Sequence, residues 1–197
     1  MGARGRPPTR RQVERRSRIL ATAAELAAEG GYDAVQMRTL AERSGVALAT
    51  IYKYFDSKDQ VLIQMIGVSA AELVERLGGV AAAGSTPADQ VVDVFRRAHR
   101  WMDERPKLVA AAIQALNVAA AQPAAAGAVV TERLVDVYVP ALQDVDPERL
   151  DRIVRTLRYT WRTLMRDWVR DLITIDDVNR EITDIVHLLL DPAADGA

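Results

Sequence analysis

The chain has 197 residues, 49% of them hydrophobic, no cysteine, and a formal net charge of −1. Its length allows one or two domains with a full core, and the missing Cys excludes a disulfide framework, a thiolate zinc site and a cysteine nucleophile. No apolar run approaches the ~18 residues of a spanning helix, and Glu14, Arg15, Arg16, Arg18 and Glu25 follow Arg10-Arg11 where a secretory signal would be apolar, so the expectation is a cytoplasmic protein with no membrane partner.

The charge is unevenly placed. Residues 1–18 hold seven Arg and one Glu, a net of +6, whereas residues 61–197 hold fifteen basic and twenty acidic groups, a net of −5. This is the pattern of a basic module that meets a polyanion, joined to a module with another task. Arg4, Arg6, Arg10 and Arg11, with Arg15 and Arg16, form the basic arm. It is either a solvated tail or an extra contact to phosphates or the minor groove.

Helical periodicity then runs from end to end, with no strand-like alternation of useful length. Thr9-Arg10-Arg11-Gln12 has the form of a capping box. The helix it opens carries Ile19, Ala23, Leu26 and Ala27 and should stop at Gly30-Gly31. A short helix is expected over Met37–Ser44, a turn at Gly45, and a second short helix over Leu48–Phe55. Ser57-Lys58-Asp59-Gln60 is another capping box, opening a long helix that ends at Gly78-Gly79. Thr86-Pro87 reads as an N-cap followed by Pro at the first helical position. Pro106 starts the next stretch, which runs to about Gln122, and a further helix follows Pro123 until Pro140 kinks or ends it. Asp146-Pro147-Glu148 caps a long helix through Leu172, and the last begins near Asp176 and reaches Leu190. The fold class is therefore all-α, with about nine helices.

Residues 37–55 carry the chemistry. Two short helices joined through Gly45 cross steeply when Leu40, Ala41, Val46 and Ile51 pack inward, and the second then turns its other face outward as a recognition helix sized for a major groove. On that face Thr50, Tyr52 and Lys53 can donate to phosphate oxygens, and Leu48 and Ala49 offer apolar contacts to thymine methyls. Arg38 is the candidate for a bidentate guanine contact. Lys58 stands at a capped helix start, where free backbone N–H groups favour a phosphate. An antiparallel helix pair in a helical adaptor that binds no DNA is the alternative.

Residues 13–66, above all Gly31-Tyr32-Asp33-Ala34-Val35, Leu40-Ala41, Gly45-Val46 and Thr50-Ile51-Tyr52-Lys53-Tyr54-Phe55-Asp56-Ser57-Lys58, resemble the N-terminal domain of TetR-family transcriptional regulators. The resemblance implies a three-helix DNA-binding domain with a helix-turn-helix over residues 1–57 and a ligand-binding and dimerisation domain over residues 58–197. It also implies a homodimer on a palindromic double-stranded DNA operator, repressing until a small-molecule effector binds. By position, Arg38, Leu48 and Ala49 would face bases, and Thr50, Tyr52, Lys53, Tyr54 and Lys58 would hold the backbone. Three residues depart from the usual pattern: Gln36 and Ala47 stand where Ser or Thr would cap, a loss of ~1 kcal/mol each, and Asp56 adds a negative charge near the phosphates.

In the second half, Leu157, Leu164 and Trp168 on the penultimate helix and Ile182, Ile185 and Leu189 on the last form apolar stripes suited to a dimer interface or to an intramolecular core. Arg152, Arg155, Arg162, Arg166 and Arg170 share the penultimate helix's other face. They are either solvated and paired with Asp151, Asp167 and Asp171, or a site for an anionic ligand group. Trp101, Met102, Ile113, Gln114, Asn117, Tyr138 and Trp161 mix apolar bulk with a few polar groups, as a ligand pocket does. The run from Gly31 to Arg38 and the tail from Trp168 to Leu190 are similar to the family's actinobacterial regulators of steroid and cholesterol catabolism, which implies a lipid, steroid or acyl-CoA effector. No cofactor or metal site is expected. His99 and His187 are expected on helix flanks, and without a phosphate loop or hydrolase motif there is no indication of an enzyme.

Overall fold

A computed structural model describes residues 9–118 and 134–191, and among these the chain is helical with no strand. The helices with defined ends are α1 (Arg10–Ala34), α2 (Met37–Ser44), α3 (Leu48–Ile51), α4 (Lys58–Gly78), α5 (Pro87–Asp103), α6 (Pro106–Val118), α7 (Pro147–Val169) and α8 (Ile175–Leu190). Between α6 and α7, a helical segment at 134–138 tightens into the 3-10 turn Val139–Leu142 at Pro140, the residue expected to end it.

Local chemistry sets most boundaries. Thr9 and Gln12 form the reciprocal capping box that opens α1. Gly31 (φ 71°, ψ −158°) breaks the helix where expected, but one further turn follows to Ala34. Gly45 ends α2 in the left-handed conformation that glycine adopts without steric cost. Ser57 Oγ accepts from the Gln60 N–H, whereas the Gln60 side chain turns back to the N–H of Asp56 rather than that of Ser57. Thr86 and Asp89 box the start of α5, and Thr174 and Asp177 that of α8. In both boxes hydrogen bonds from the threonine hold the carboxyl below its ordinary pKa.

Two expected helices are shorter than their periodicity suggests. The recognition helix is α-helical only over Leu48–Ile51. Beyond it Lys53 and Tyr54 donate to carbonyls three residues back, winding Tyr52 to Tyr54 into tight turns. Gln36 and Ala47 make no side-chain cap, and Gln36 donates instead to the Asp33 carbonyl. At the other end α7 stops at Val169, and Asp171 takes a positive φ of 56° before the chain turns into α8.

Burial divides the described residues into two cores. One joins Ile19, Leu26, Leu40, Ile51 and Phe55 to Leu62 and Met65 of α4 and Leu108 and Ala111 of α6. The other runs from Leu73 and Leu77 through α5, the 134–142 segment, α7 and α8. The border expected at 57/58 is the start of α4, but the packing changes hands inside that helix, between Ile66 and Leu73. Helix α4 is therefore one continuous helix with an end in each core, and α6 lies against both α1 and α4.

Candidate DNA interface and effector cavity

The helix-turn-helix is built by its buried half. Leu40 and Ile51 are wholly buried, Val46 and Phe55 nearly so, and Ala41 packs against them. This fixes which residues of the second helix remain outside. Arg38, Ala49, Tyr52 and Lys53 are exposed, while Leu48, Thr50, Tyr54 and Lys58 are half-buried. Arg10 and Arg11 are exposed on the first turn of α1, where Arg10 pairs with Glu14. Arg4 and Arg6 lie outside the described residues.

The base beneath Lys58 was not legible from its motif. Its ammonium sits 3.8 Å from the centre of the Tyr32 ring, and the Tyr32 hydroxyl donates to Asp59. Burial and the neighbouring Asp59 carboxylate push the Tyr32 pKa up to about 12, so it stays a donor near neutral pH. Arg43, on α2, is bound to Glu29 of α1 at 2.5 and 2.9 Å. That ion pair makes Arg43 a structural tie and leaves Arg38 as the guanidinium of α2 with no ion pair among the described residues.

The second half holds a cavity of about 290 Å³ between α4, α5, α6 and α7. Trp101, Met102, Ile113 and Trp161, four of the residues expected in a pocket, line it. Gln114 does not: it is exposed to solvent on α6. Tyr138 does not either, because its ring is buried in the second core, 5.5 Å from Phe95. The Asn117 side chain lies outside the described part.

Sequence reasoning missed the contribution of α4, which supplies Met65, Ile66, Ser69, Ala70 and Leu73 to the wall. The one available signal was the small pair Ser69-Ala70 inside an otherwise bulky apolar stripe. Trp101 bridges the two cores, with the Arg105 guanidinium 4.8 Å from its ring centre, and its indole N–H has no acceptor among the described residues.

Arg162, Arg166 and Arg170, one helical turn apart, line the same cavity. None makes an ion pair among the described residues, whereas Arg155, on the same helix, is paired with Asp151 at 2.8 Å. The five arginines expected to share one face of this helix thus fall into different environments. A cavity with apolar walls and three uncommitted guanidiniums suits an amphipathic anion, because each cation can form charge-assisted hydrogen bonds to carboxylate or phosphate oxygens.

The apolar stripes of α7 and α8 also divide. Leu157 and Ile182, expected at a dimer interface, are fully buried inside the protomer and have no surface to offer a partner. Leu164, Trp168, Ile185 and Leu189 keep partial exposure, and Leu188 on the same helix as the last two is 81% exposed. His99, expected on a flank, is completely buried, while His187 is partly exposed and paired with Asp191.

Comparison with known proteins gives these surfaces a context. A family profile described as "Bacterial regulatory proteins, tetR family" matches residues 19–65, and one described as "Tetracyclin repressor-like, C-terminal domain" matches residues 84–189. The HTH-type transcriptional repressor KstR of Mycolicibacterium smegmatis is 32% identical over 180 residues, 91% of this chain and 88% of KstR. A TetR transcriptional regulator from Rhodococcus sp. RHA1 has the same fold with a TM-score of 0.76 and 31% identity, over 93% of this chain and 98% of that one. The regulator FadR from Bacillus subtilis, solved in complex with stearoyl-CoA, shares the fold at a TM-score of 0.56 and 22% identity, over 89% of this chain and 97% of FadR.

Proposed function

The chain belongs to the TetR family of bacterial regulatory proteins and is a DNA-binding transcriptional regulator, and from this premise we propose a cytoplasmic homodimeric repressor, without catalytic activity, that leaves a palindromic operator when an amphipathic anion fills the cavity. Family membership sets aside the DNA-free helical adaptor. Arg38, Leu48 and Ala49 read bases, and Thr50, Tyr52, Tyr54, Lys53 and Lys58 grip phosphates. The arm with Arg4, Arg6, Arg10 and Arg11 adds sequence-independent affinity. Two protomers join through the exposed parts of α7 and α8, around Leu164, Trp168, Ile185, Leu188 and Leu189.

One observation carries the effector class: Arg162, Arg166 and Arg170, without an ion pair among the described residues, line an apolar cavity whose wall includes α4. Helix α4 begins at Lys58, beside the recognition helix, so an occupant that displaces its middle also moves the DNA-binding end. A lipid or steroid acid, or its CoA thioester, places hydrocarbon against Met65, Ile113 and Trp161 and its oxygens near the arginines. Burial of the apolar part contributes about 25 cal/mol per Å², and the charged part sets orientation. By analogy, KstR, named as a repressor, supports the sign of regulation, and FadR, described with stearoyl-CoA, supports the effector class.

A gel shift on the DNA upstream of the chain's own gene tests the reading. The dimer should retard that DNA, and oleoyl-CoA or a steroid-acid CoA thioester should release it. Replacing Arg166 and Arg170 with Ala should weaken that release by at least ~10-fold, as expected when each hydrogen bond to a charged group contributes ~1.5–3 kcal/mol. Native mass spectrometry of freshly purified dimer should show a co-purified anionic lipid. Retardation that neither thioester reverses would overturn the effector class while leaving the DNA-binding function intact.

A further inference from the structure

The completely buried His99 on α5 is used by neither the DNA interface nor the lining of the cavity. It stands between Trp161, which lines the cavity, and Asn179 on the last helix. Trp161 of α7 donates its indole N–H to His99 Nε2 at 2.9 Å, and His99 Nδ1 lies 2.7 Å from Asn179 Oδ1 on α8. The indole nitrogen can only donate, so Nε2 must be the acceptor and the ring proton sits on Nδ1, from which it is donated to Asn179. Each bond therefore has one direction, and the neutral tautomer is fixed by its neighbours. Phe95 packs against the imidazole with ring centres 5.9 Å apart, leaving it little room to turn.

Trp161 has two sides. One forms part of the cavity wall and the other feeds this relay. Asn179 lies on α8, the helix whose other residues, Ile185 and Leu188, keep apolar surface exposed. We propose that His99 is a positioning residue that couples occupation of the cavity to the placement of α8 through the chain Trp161–His99–Asn179. An occupant that turns the Trp161 indole withdraws a donor from a buried nitrogen, and the imidazole regains a partner only by moving against Asn179. Buried polar groups tolerate few unsatisfied states, so such a network has discrete arrangements rather than a continuous range. The inference rests on the reading of the cavity as an effector site and adds a second route, towards the dimer face, to the one through α4.

Isoleucine methyl NMR on the full-length dimer tests it with 1-anilinonaphthalene-8-sulfonate, an apolar ring system bearing one anionic group. Ile66 and Ile113 line the cavity and report binding, while Ile182 and Ile185 sit on α8 and report transmission. In the wild type the probe should shift all four signals. In His99→Phe and in Asn179→Ala the Ile66 and Ile113 shifts should persist and those of Ile182 and Ile185 be lost. His99→Gln, which can accept from Trp161 and donate to Asn179, should restore them. Asn179 is partly exposed, so its variant decides the matter even if His99→Phe does not fold. Shifts at Ile182 and Ile185 that survive in the variants, or that never occur in the wild type, would overturn the coupling alone. No shift at Ile66 and Ile113 in the wild type would remove the effector-cavity reading and the coupling with it.

Discussion

The two ends of the molecule assemble their working surfaces over very different distances along the chain. Beside the recognition helix, Arg38, Ala49, Tyr52, Lys53 and Lys58 come from one short stretch, and one buried set (Leu40, Val46, Ile51 and Phe55) decides that they face outward. The cavity instead gathers Met65 from α4, Trp101 from α5, Ile113 from α6 and Trp161 and Arg166 from α7. A local surface can keep its chemistry while the rest of the chain drifts. A surface collected from four helices changes whenever any one of them shifts, which suits the half of a regulator that must respond.

The largest test of this contrast is to leave the local surface untouched and break the assembled one. Ile185→Glu with Leu188→Glu puts two like charges on the exposed side of α8, where Leu188 is 81% exposed. The double variant should elute as a folded monomer, with operator affinity falling by ~10²–10⁴, the avidity that a linked second site supplies. Sedimentation and a gel shift measure both effects. A monomer with unchanged affinity would mean that one half-site suffices and that the two ends work independently.

Next in size is acid stability, which should distinguish the cores. Burial holds the His99 pKa down at about 4, against an ordinary value of 6.5. Above pH 6.5 the group is neutral whether folded or unfolded. As pH falls from 6.5 to 4 the unfolded chain takes up a proton that the folded chain excludes, so stability is lost across that window by about 3 kcal/mol. Denaturant melts at pH 7, 5 and 4 should show the loss in the wild type, and His99→Phe should remove this histidine's share. The N-terminal core has no histidine, so its own acid response should not change with the substitution.

The same contrast explains what was legible in the sequence. Caps and breaks act within four residues, so Thr9, Gly45, Ser57 and Thr86 marked real ends. The helix-turn-helix followed because its inward residues are neighbours in the chain. Periodicity alone, however, could not say which neighbour a stripe would meet. Leu157 and Ile182 satisfied the dimer pattern equally well by facing inward, and Tyr138 and Gln114 had pocket-like character but were drawn to the core and to solvent. His99 showed no signal because its partners, Asn179 and Trp161, are supplied by helices distant in sequence. The length of α3 was overestimated for another reason: the uncapped Ala47 and the tight turns after Ile51 shorten it.

Smaller again, the missing cap can be restored. Ala47→Ser places an acceptor at the N-cap of α3, where no side chain now caps the helix. It should stabilise the N-terminal core by ~1 kcal/mol, seen as a higher denaturation midpoint with probe binding in the cavity unchanged. A gain that also altered probe binding would show the two ends to be more tightly linked than their separate cores suggest.

The smallest effect separates arginines that differ only in company. Arg155 is held by Asp151 one turn away, with both side chains at least half exposed. Such a pair contributes only ~0.3–0.5 kcal/mol, so Arg155→Ala should barely move the denaturation midpoint and should leave lipid-dependent DNA release unchanged. Arg166→Ala removes the same charge from the same helix, but from the cavity's edge, where no acid partner holds it among the described residues. Its stability cost should be just as small, whereas the concentration of oleoyl-CoA needed for release should rise. If the two variants respond alike, net positive charge attracts the ligand at long range, and adding salt should erase the response of both, since screening at 0.15 M acts over about 8 Å. If only Arg166 responds, and keeps responding at higher salt, direct contact to a ligand oxygen is the cause. The assembled surface then depends on where a residue points, as the recognition helix does.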